Sequence, residues 1–120
     1  MTLLFVYGTL VPGGEAWHLL ERWTVGQPEP DAVRGQLFDT GRGYPAATFA
    51  DDASDLVHGV VVELDPDRRD AALEALDRYE ASEYDRVTVR TVAGRESLTY
   101  EWVAPLDGCV AMAEGRWPVG

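Results

Sequence analysis

The chain has 120 residues, a hydrophobic fraction of 46% and a net charge of −11, and its 10 basic residues are all arginines. A chain of this length can bury one core without disulfides or metal, so we expect a single globular domain over residues 1–120. The acidic balance argues against nucleic acid or an anionic membrane as a partner, because binding to either needs a basic face.

The sequence shows neither a secretory signal nor a membrane span. Residues 1–10 lack a basic segment, and no apolar run approaches the roughly twenty residues that cross a bilayer. The single cysteine, Cys109, cannot form an internal disulfide. We therefore expect a cytoplasmic protein. The sequence does not indicate an oligomeric state.

An apolar run at the N-terminus, Leu3–Leu10, contains Gly8 and is followed by a Pro-Gly-Gly break at 12–14. This pattern is typical of a buried strand that feeds a tight loop. Glycines in such a loop let backbone N–H groups converge on an anion and let a ligand approach the main chain. A plain strand followed by a turn fits the same pattern.

The first half of the chain then alternates short elements with turns. Ala16–Trp23 has helical spacing and predicts a short helix, and Val33–Phe38 predicts an extended segment. A glycine-flanked turn follows at Asp39–Pro45. The valine-rich segment Leu56–Leu64 predicts a central strand, in which Gly59 marks a bulge or a close backbone approach.

The second half contains the main helix and a hairpin. Asp65-Pro66 is a strong helix start, and the helix should run to Tyr79 or Glu80. Tyr84–Val92 alternates in polarity, and Leu98–Val103 pairs back to it as a hairpin. The expected buried stripe of the helix consists of Ala72, Leu73, Leu76 and Tyr79.

These elements predict an α+β fold. We expect a small mixed, largely antiparallel sheet that curls toward a barrel, with one main helix and short flanking helices.

Glu80 occupies an unusual position on the predicted helix. At 100° per residue it lies only about 40° from Leu76, on the buried stripe, and it ends the helix where the macrodipole disfavours an anion. Both effects raise a carboxyl pKa, and a carboxyl that titrates near neutrality can exchange protons with an amine. A side chain bent out to solvent, or paired with Arg78 or Arg86, is the alternative.

Two segments together resemble the γ-glutamylcyclotransferase-like superfamily, and within it the short branch of γ-glutamylamine cyclotransferases and AIG2-like proteins. One segment is Tyr7–Leu10 after an N-terminal strand, and the other is Leu76–Glu80 with Tyr84 and Arg86 just beyond it. The resemblance extends over nearly the whole chain, and the Gly41–Pro45 turn falls where the family has a comparable feature.

The resemblance implies a small mixed barrel that releases an amine from a γ-glutamyl compound while the glutamyl part cyclises to 5-oxoproline. Glu80 would be the acid/base, Tyr84 would help to place the substrate, and we include Tyr44 in the substrate site. No metal or other cofactor is expected. The loop that would bind the glutamyl head group consists of Tyr7, Gly8, Thr9 and Leu10.

Two other functions fit the same residues. The first is an accessory protein that holds a small carboxylate-bearing ligand without turnover, and the second is a hydrolase or acyl transferase that acts on a γ-glutamyl bond. In the family a glycine often follows the acid/base residue, whereas Ala81 and Ser82 follow it here.

The remaining candidates give weaker signals. Cys109 has no histidine near it in sequence, and His18 and His58 lack the short spacing of a metal pair. Arg42, beside Tyr44, either contacts a carboxylate or is an exposed turn residue.

Overall fold

The structure is a computed structural model that describes residues 1–118. These residues form seven strands and two α-helices. The strands are β1 (Thr2–Val6), β2 (Thr24–Asp39), β3 (Pro45–Phe49), β4 (Leu56–Leu64), β5 (Tyr84–Arg90), β6 (Glu96–Trp102) and β7 (Val110–Ala111), and the helices are α1 (Trp17–Glu21) and α2 (Arg69–Glu80).

Six strands follow one another in the order β3-β2-β4-β1-β6-β5, and β7 pairs with the end of β2. Neighbouring strands are antiparallel except for β1 and β6, which run parallel. The sheet curls so far that the backbone N–H of Phe49 in β3 donates a hydrogen bond of 2.8 Å to the Glu101 carboxylate in β6. The predicted α+β architecture, with its mixed barrel-like sheet, is confirmed.

β1 belongs to two hydrophobic cores because its side chains alternate between the faces of the sheet. Leu4 and Val6 pack in the core that contains Leu76 of α2. Phe5 and Tyr7 lie in a second core, with side chains from β2, β3 and β4. Both cores therefore fix the end of β1, where the glycine loop begins.

β4 has the predicted bounds and lies in the middle of the sheet. A Cβ atom on Gly59 would overlap the carbonyl oxygen of Val6. Gly59 is therefore the predicted close backbone approach, because a side chain there would push β4 away from the end of β1.

β2 is longer than the extended segment predicted at Val33–Phe38, since it begins at Thr24. Pro28 and Pro30 argue against a strand here, because proline has no backbone N–H to donate to the hydrogen bonds of a sheet. The register of β2 against β4 shifts next to these prolines. No other strand of residues 1–118 pairs with this first part of β2, so its outer edge tolerates proline.

β3 is also missing from the elements predicted above. Its sequence is Pro-Ala-Ala-Thr-Phe, in which small side chains replace the alternating β-branched residues that mark a strand. Pro45, Ala46 and Ala47 are buried against their neighbours, so tertiary packing and not local preference forms this strand.

α2 follows the predicted helix start. Asp65 accepts a hydrogen bond of 3.0 Å from the backbone N–H of Asp67, and a 3-10 turn over Pro66–Arg68 leads into the helix. The predicted stripe is buried at Ala72, Leu73 and Leu76.

The prediction that Tyr79 is the fourth member of that stripe is wrong, since 43% of this residue is exposed. Its hydroxyl oxygen lies 3.0 Å from the Thr9 hydroxyl oxygen. The last turn of α2 thus faces the loop after β1 and not the core.

Asp31 ties β2 to the turn between β5 and β6. Its side chain has no exposed surface, and its carboxylate accepts hydrogen bonds from the Arg95 guanidinium at 2.8 Å and from the backbone N–H groups of Ala32 and Ala93. Burial alone would raise the pKa of Asp31, but hydrogen bonds, including one from Thr91, hold it below its ordinary value of 3.8.

We expect Asp31→Asn to lower the free energy of unfolding by about 1–3 kcal/mol at neutral pH, because it leaves Arg95 without its buried partner. The pKa of Asp31 is lower in the folded than in the unfolded protein. Its stabilisation is therefore present above about pH 5 and is lost as the pH falls through the folded-state value. Urea denaturation at about pH 7 and about pH 3 measures both effects. The exposed Asp51→Asn is the control, and a loss that does not shrink at low pH would contradict the assignment.

No helix of residues 1–118 is long and apolar enough to cross a membrane.

Candidate active site

A cavity of about 330 Å³ lies beside the C-terminal ends of β1 and α2. The loop after β1, the first residue of β3, the last turn of α2, the residues after that helix and one residue of β6 line it. The structure brings the predicted catalytic and substrate-binding residues to this cavity. They are Tyr7, Gly8, Thr9, Leu10, Tyr44, Glu80 and Tyr84.

Sequence reasoning missed three polar residues that also line the cavity, Tyr79, Glu83 and Tyr100. With these, all 5 tyrosines of the chain face one cavity. No sequence signal marked this convergence, because the five tyrosines are spread along the chain and only the fold brings them together. Five aromatic hydroxyls around one cavity are more typical of a ligand site than of a core.

The cavity has a closed end and an open end. Phe5, Tyr7 and Tyr100 form the closed end and are 1%, 7% and 4% exposed. We call the open end the mouth, and it is formed by Tyr44, Tyr79, Ala81 and Glu83, which are half-buried or exposed.

Two carbonyl groups of the loop after β1 accept backbone hydrogen bonds within the protein. Gly8 O accepts from the backbone N–H of Val11 at 3.3 Å, and Thr9 O accepts from that of Ala16 at 2.8 Å. Among the turn and loop hydrogen bonds of residues 1–118, the N–H groups of Gly8, Thr9 and Leu10 donate none. The loop therefore offers unused backbone donors next to the cavity.

Gly8 is required by packing. A Cβ atom there would lie 2.8 Å and 2.9 Å from two ring carbons of Pro45. Only glycine lets the loop lie directly against the start of β3, which brings these two walls of the cavity together.

The buried tyrosines are held by backbone carbonyls. The hydroxyl of Tyr7 donates to Tyr100 O at 2.5 Å, and that of Tyr84 donates to Pro45 O at 2.6 Å. Burial is the main cause that raises the pKa of both hydroxyls, and the neighbouring charge of Glu80 adds to it. Both side chains are therefore neutral and fixed in orientation.

Glu80 is the last residue of α2, and its side chain points into the cavity. The arginines that could have drawn it outward are engaged elsewhere: Arg78 pairs with Glu74 at 3.2 Å and Arg86 with Asp77 at 3.1 Å. Burial raises the pKa of Glu80 from 4.5 to about 7. At neutral pH this carboxyl group is thus poised to bind or release a proton.

Ala81 follows Glu80 with a backbone conformation of φ 61° and ψ −161°. This region is essentially restricted to glycine, and another residue there stores about 1–3 kcal/mol of strain. Ala81 ends α2 and starts the short turn that carries Glu83 to the mouth.

Glu83 connects the mouth to the turn between β2 and β3. Its carboxylate accepts hydrogen bonds from the Arg42 guanidinium at 2.9 Å and from the Tyr44 hydroxyl at 3.2 Å. Arg42 thus contacts a carboxylate of the protein itself, while 53% of its side chain stays exposed.

The other candidates lie apart from the cavity. Neither His18, His58 nor Cys109 lines it. Residues 1–118 contain no group of at least three histidine, cysteine, aspartate or glutamate side chains that could hold a metal ion.

The sequence profile described as "Gamma-glutamyl cyclotransferase, AIG2-like" matches residues 4–119. The chain therefore belongs to this family. A comparison with curated proteins gives no match.

Solved structures extend this result. YkqA from Bacillus subtilis is 28% identical with a TM-score of 0.74, and the match covers 97% of this chain and 39% of YkqA, so the chain spans less than half of that protein. Protein ytfP from Escherichia coli is 29% identical with a TM-score of 0.65, over 97% of this chain and 96% of ytfP. An AIG2-like protein from Mus musculus is 19% identical with a TM-score of 0.68, over 88% of this chain and 80% of its own, and it shares the fold.

We expect Ala81→Gly to raise the free energy of unfolding by about 1 kcal/mol, because relief of backbone strain exceeds the extra chain entropy of glycine. Ala71→Gly, in an exposed regular part of α2, is the matched control and should lower it by about 1 kcal/mol. Chemical denaturation of the three proteins measures both changes. Equal destabilisation by the two substitutions would contradict the strain at Ala81.

We expect Glu80→Gln to stabilise the protein at high pH. The folded-state pKa of about 7 exceeds the ordinary value of 4.5, so the folded protein holds this proton more tightly than the unfolded chain. The stability that protonation of Glu80 provides is complete below about pH 4.5 and is lost as the pH rises through about 7. Glu80→Gln should therefore match the native protein near pH 4.5 and exceed it by about 2–3 kcal/mol near pH 8.

Chemical denaturation at both pH values measures this difference. Glu74→Gln, at an exposed position of the same helix, is the control and should show no such trend. Equal stability of the native protein and Glu80→Gln near pH 8 would mean that the carboxylate is solvated.

Proposed function

We propose that the protein is a cyclotransferase that cleaves a γ-glutamyl amine or peptide to 5-oxoproline and a free amine. The observation that carries this proposal is the carboxyl group of Glu80, which is half-buried in a tyrosine-lined cavity and has a pKa of about 7. Membership of the gamma-glutamyl cyclotransferase, AIG2-like family supports it.

In this reaction the substrate supplies its own nucleophile. The α-amine nitrogen attacks the γ-carbonyl carbon and forms the C–N bond of the five-membered ring. The bond from that carbon to the leaving nitrogen then breaks. The protein has to fold a flexible chain into this geometry, and fixing a near-attack geometry can contribute about 7–11 kcal/mol to lowering the barrier.

The loop of Tyr7 to Leu10 is assigned to the glutamyl group. Its unused N–H groups are suited to the α-carboxylate of the substrate or to the oxyanion that develops on the γ-carbonyl oxygen. Backbone donors can do this without a basic side chain, and none of the residues that line the cavity is basic.

Glu80 is assigned the proton transfers. Its ionised carboxylate takes a proton from the α-ammonium group and makes the amine nucleophilic. The protonated form then gives this proton to the leaving nitrogen, which departs as an amine, and the ionised carboxylate takes the second proton from the ring nitrogen and releases it to solvent. A pKa near 7 suits both steps, because each form is well populated at neutral pH.

Tyr84 and Tyr44 are assigned to substrate placement. Tyr84 is held rigidly by Pro45 O and edge-on to the Trp102 ring, with 5.2 Å between the ring centroids. Tyr44 lies at the mouth, where its hydroxyl donates a hydrogen bond to Glu83. Rigid aromatic walls limit the conformations of a flexible glutamyl chain in the cavity.

We expect Glu80→Gln to reduce kcat/KM for 5-oxoproline release by about 10²- to 10⁴-fold, the usual contribution of one positioned proton carrier. In the native protein kcat/KM should fall about tenfold per pH unit below about pH 7, because the free enzyme must be ionised at Glu80 to accept a proton.

The measurement is chromatographic detection of 5-oxoproline and of the freed amine, with γ-glutamyl amines, γ-glutamyl dipeptides and glutathione as substrates. Glu74→Gln is the control and should keep native activity. Full turnover in Glu80→Gln would rule out the mechanism. Free glutamate in place of 5-oxoproline would show that water is the nucleophile and that the protein is a hydrolase.

A further inference from the structure

A guanidinium group that the proposed reaction does not use lies beside the mouth of the cavity, against Glu83 and Tyr44. Besides its ion pair with Glu83, Arg42 places its guanidinium carbon 5.2 Å from the ring centroid of Tyr44 and 5.6 Å from that of Trp102. Two aromatic rings and one carboxylate therefore fix this group. Because 53% of the side chain is still exposed, the guanidinium remains accessible from solvent.

The turn that carries Arg42 is internally braced. The Thr40 hydroxyl donates to Tyr44 O at 2.7 Å and accepts from the backbone N–H of Arg42 at 3.2 Å. Gly41 and Gly43, on either side, adopt φ angles of 78° and 90° that favour glycine. Arg42 is thus held in place before any ligand binds, which reduces the entropy lost on binding.

The guanidinium of Arg42 has unused hydrogen-bonding capacity. Glu83 uses one carboxylate oxygen on Arg42 and the other on the Tyr44 hydroxyl. A guanidinium has five N–H donors, and within residues 1–118 the Arg42 side chain donates only through Nη2, to Glu83. The free edge of this fork matches the geometry of a carboxylate.

The geometry of the cavity sets which part of a substrate meets Arg42. In the proposed function the loop of Tyr7 to Leu10 holds the glutamyl group. With that group next to the buried Tyr7 at the closed end, the leaving amine points to the mouth. A volume of about 330 Å³ is at the lower limit for small-molecule sites, so a larger leaving group would extend past Tyr44. A leaving group that extends in this direction approaches the Tyr44 ring, on which Arg42 is stacked.

We propose that Arg42 is a specificity-determining residue that binds a carboxylate on the leaving amine. The protein then prefers γ-glutamyl amino acids and peptides to γ-glutamyl derivatives of uncharged amines. This inference rests on the proposed function for the orientation of the substrate.

The test compares γ-glutamylglycine with γ-glutamylglycinamide, in which an uncharged amide replaces the carboxylate. Binding is measured by calorimetry on Glu80→Gln, in which turnover should be negligible during the titration. We expect the acid to bind about tenfold more tightly than the amide, as one charge-assisted pair provides. The ratio should fall to about one when Arg42→Gln is added.

Two further variants separate recognition from structure. Arg34→Gln changes an exposed arginine of β2 that donates to Ala53 O away from the cavity, and the preference should persist. Glu83→Gln keeps Arg42 charged, keeps both aromatic neighbours and leaves an amide oxygen that can still accept from Nη2, so the preference should persist there too. Its loss in Glu83→Gln would assign the effect to the ion pair as a structural element and overturn the inference.

The outcomes for the two proposals differ. Equal affinity for both compounds, or a preference that survives Arg42→Gln, would overturn the role of Arg42 even if the native protein releases 5-oxoproline. A preference that depends on Arg42 supports the carboxylate contact. If that preference came without 5-oxoproline from any substrate, the proposed reaction would be wrong and the anion contact would stand.

Discussion

The burial of the Glu80 carboxyl group is the constraint on which the site depends. A hydrogen-bond donor or a cation beside it would return its pKa to the ordinary range. The neighbouring hydroxyls do not supply one, since Tyr7 and Tyr84 donate to backbone carbonyls and Tyr44 donates to Glu83. The protons of these three hydroxyls are thus already committed, and desolvation raises the pKa of Glu80.

Close packing of backbone holds this arrangement together. Gly59 lets β4 lie against the end of β1, and Gly8 lets the following loop lie against Pro45. At both positions glycine is needed because a side chain would clash with the neighbouring segment, and not because the chain must be flexible there. Since Val6 and Tyr7 belong to different cores, the loop cannot shift without disturbing the packing on both faces of the sheet.

The elements that were predicted correctly are those that local sequence patterns determine. β4, α2 and the inward direction of Glu80 follow from spacing, capping and the 3.6-residue period, and they were predicted with nearly correct bounds. β3 and the first part of β2 were missed because their composition does not favour a strand. Pairing with neighbouring strands stabilises them instead. Tyr79 and Tyr100 fit helix and strand periods as ordinary core residues, and only the meeting of elements distant in sequence turns them toward the cavity.

The site also separates two charges that would interfere if they met. An arginine beside Glu80 would stabilise the carboxylate and lower its pKa, which would remove the protonated form needed by a leaving amine. Arg42 instead lies beside the mouth, where Glu83 pairs with it and solvent screens it. Proton exchange is thereby kept at the desolvated carboxyl group of Glu80 and ionic recognition at the exposed Arg42, so the acid/base group keeps its pKa while Arg42 remains able to bind an anion.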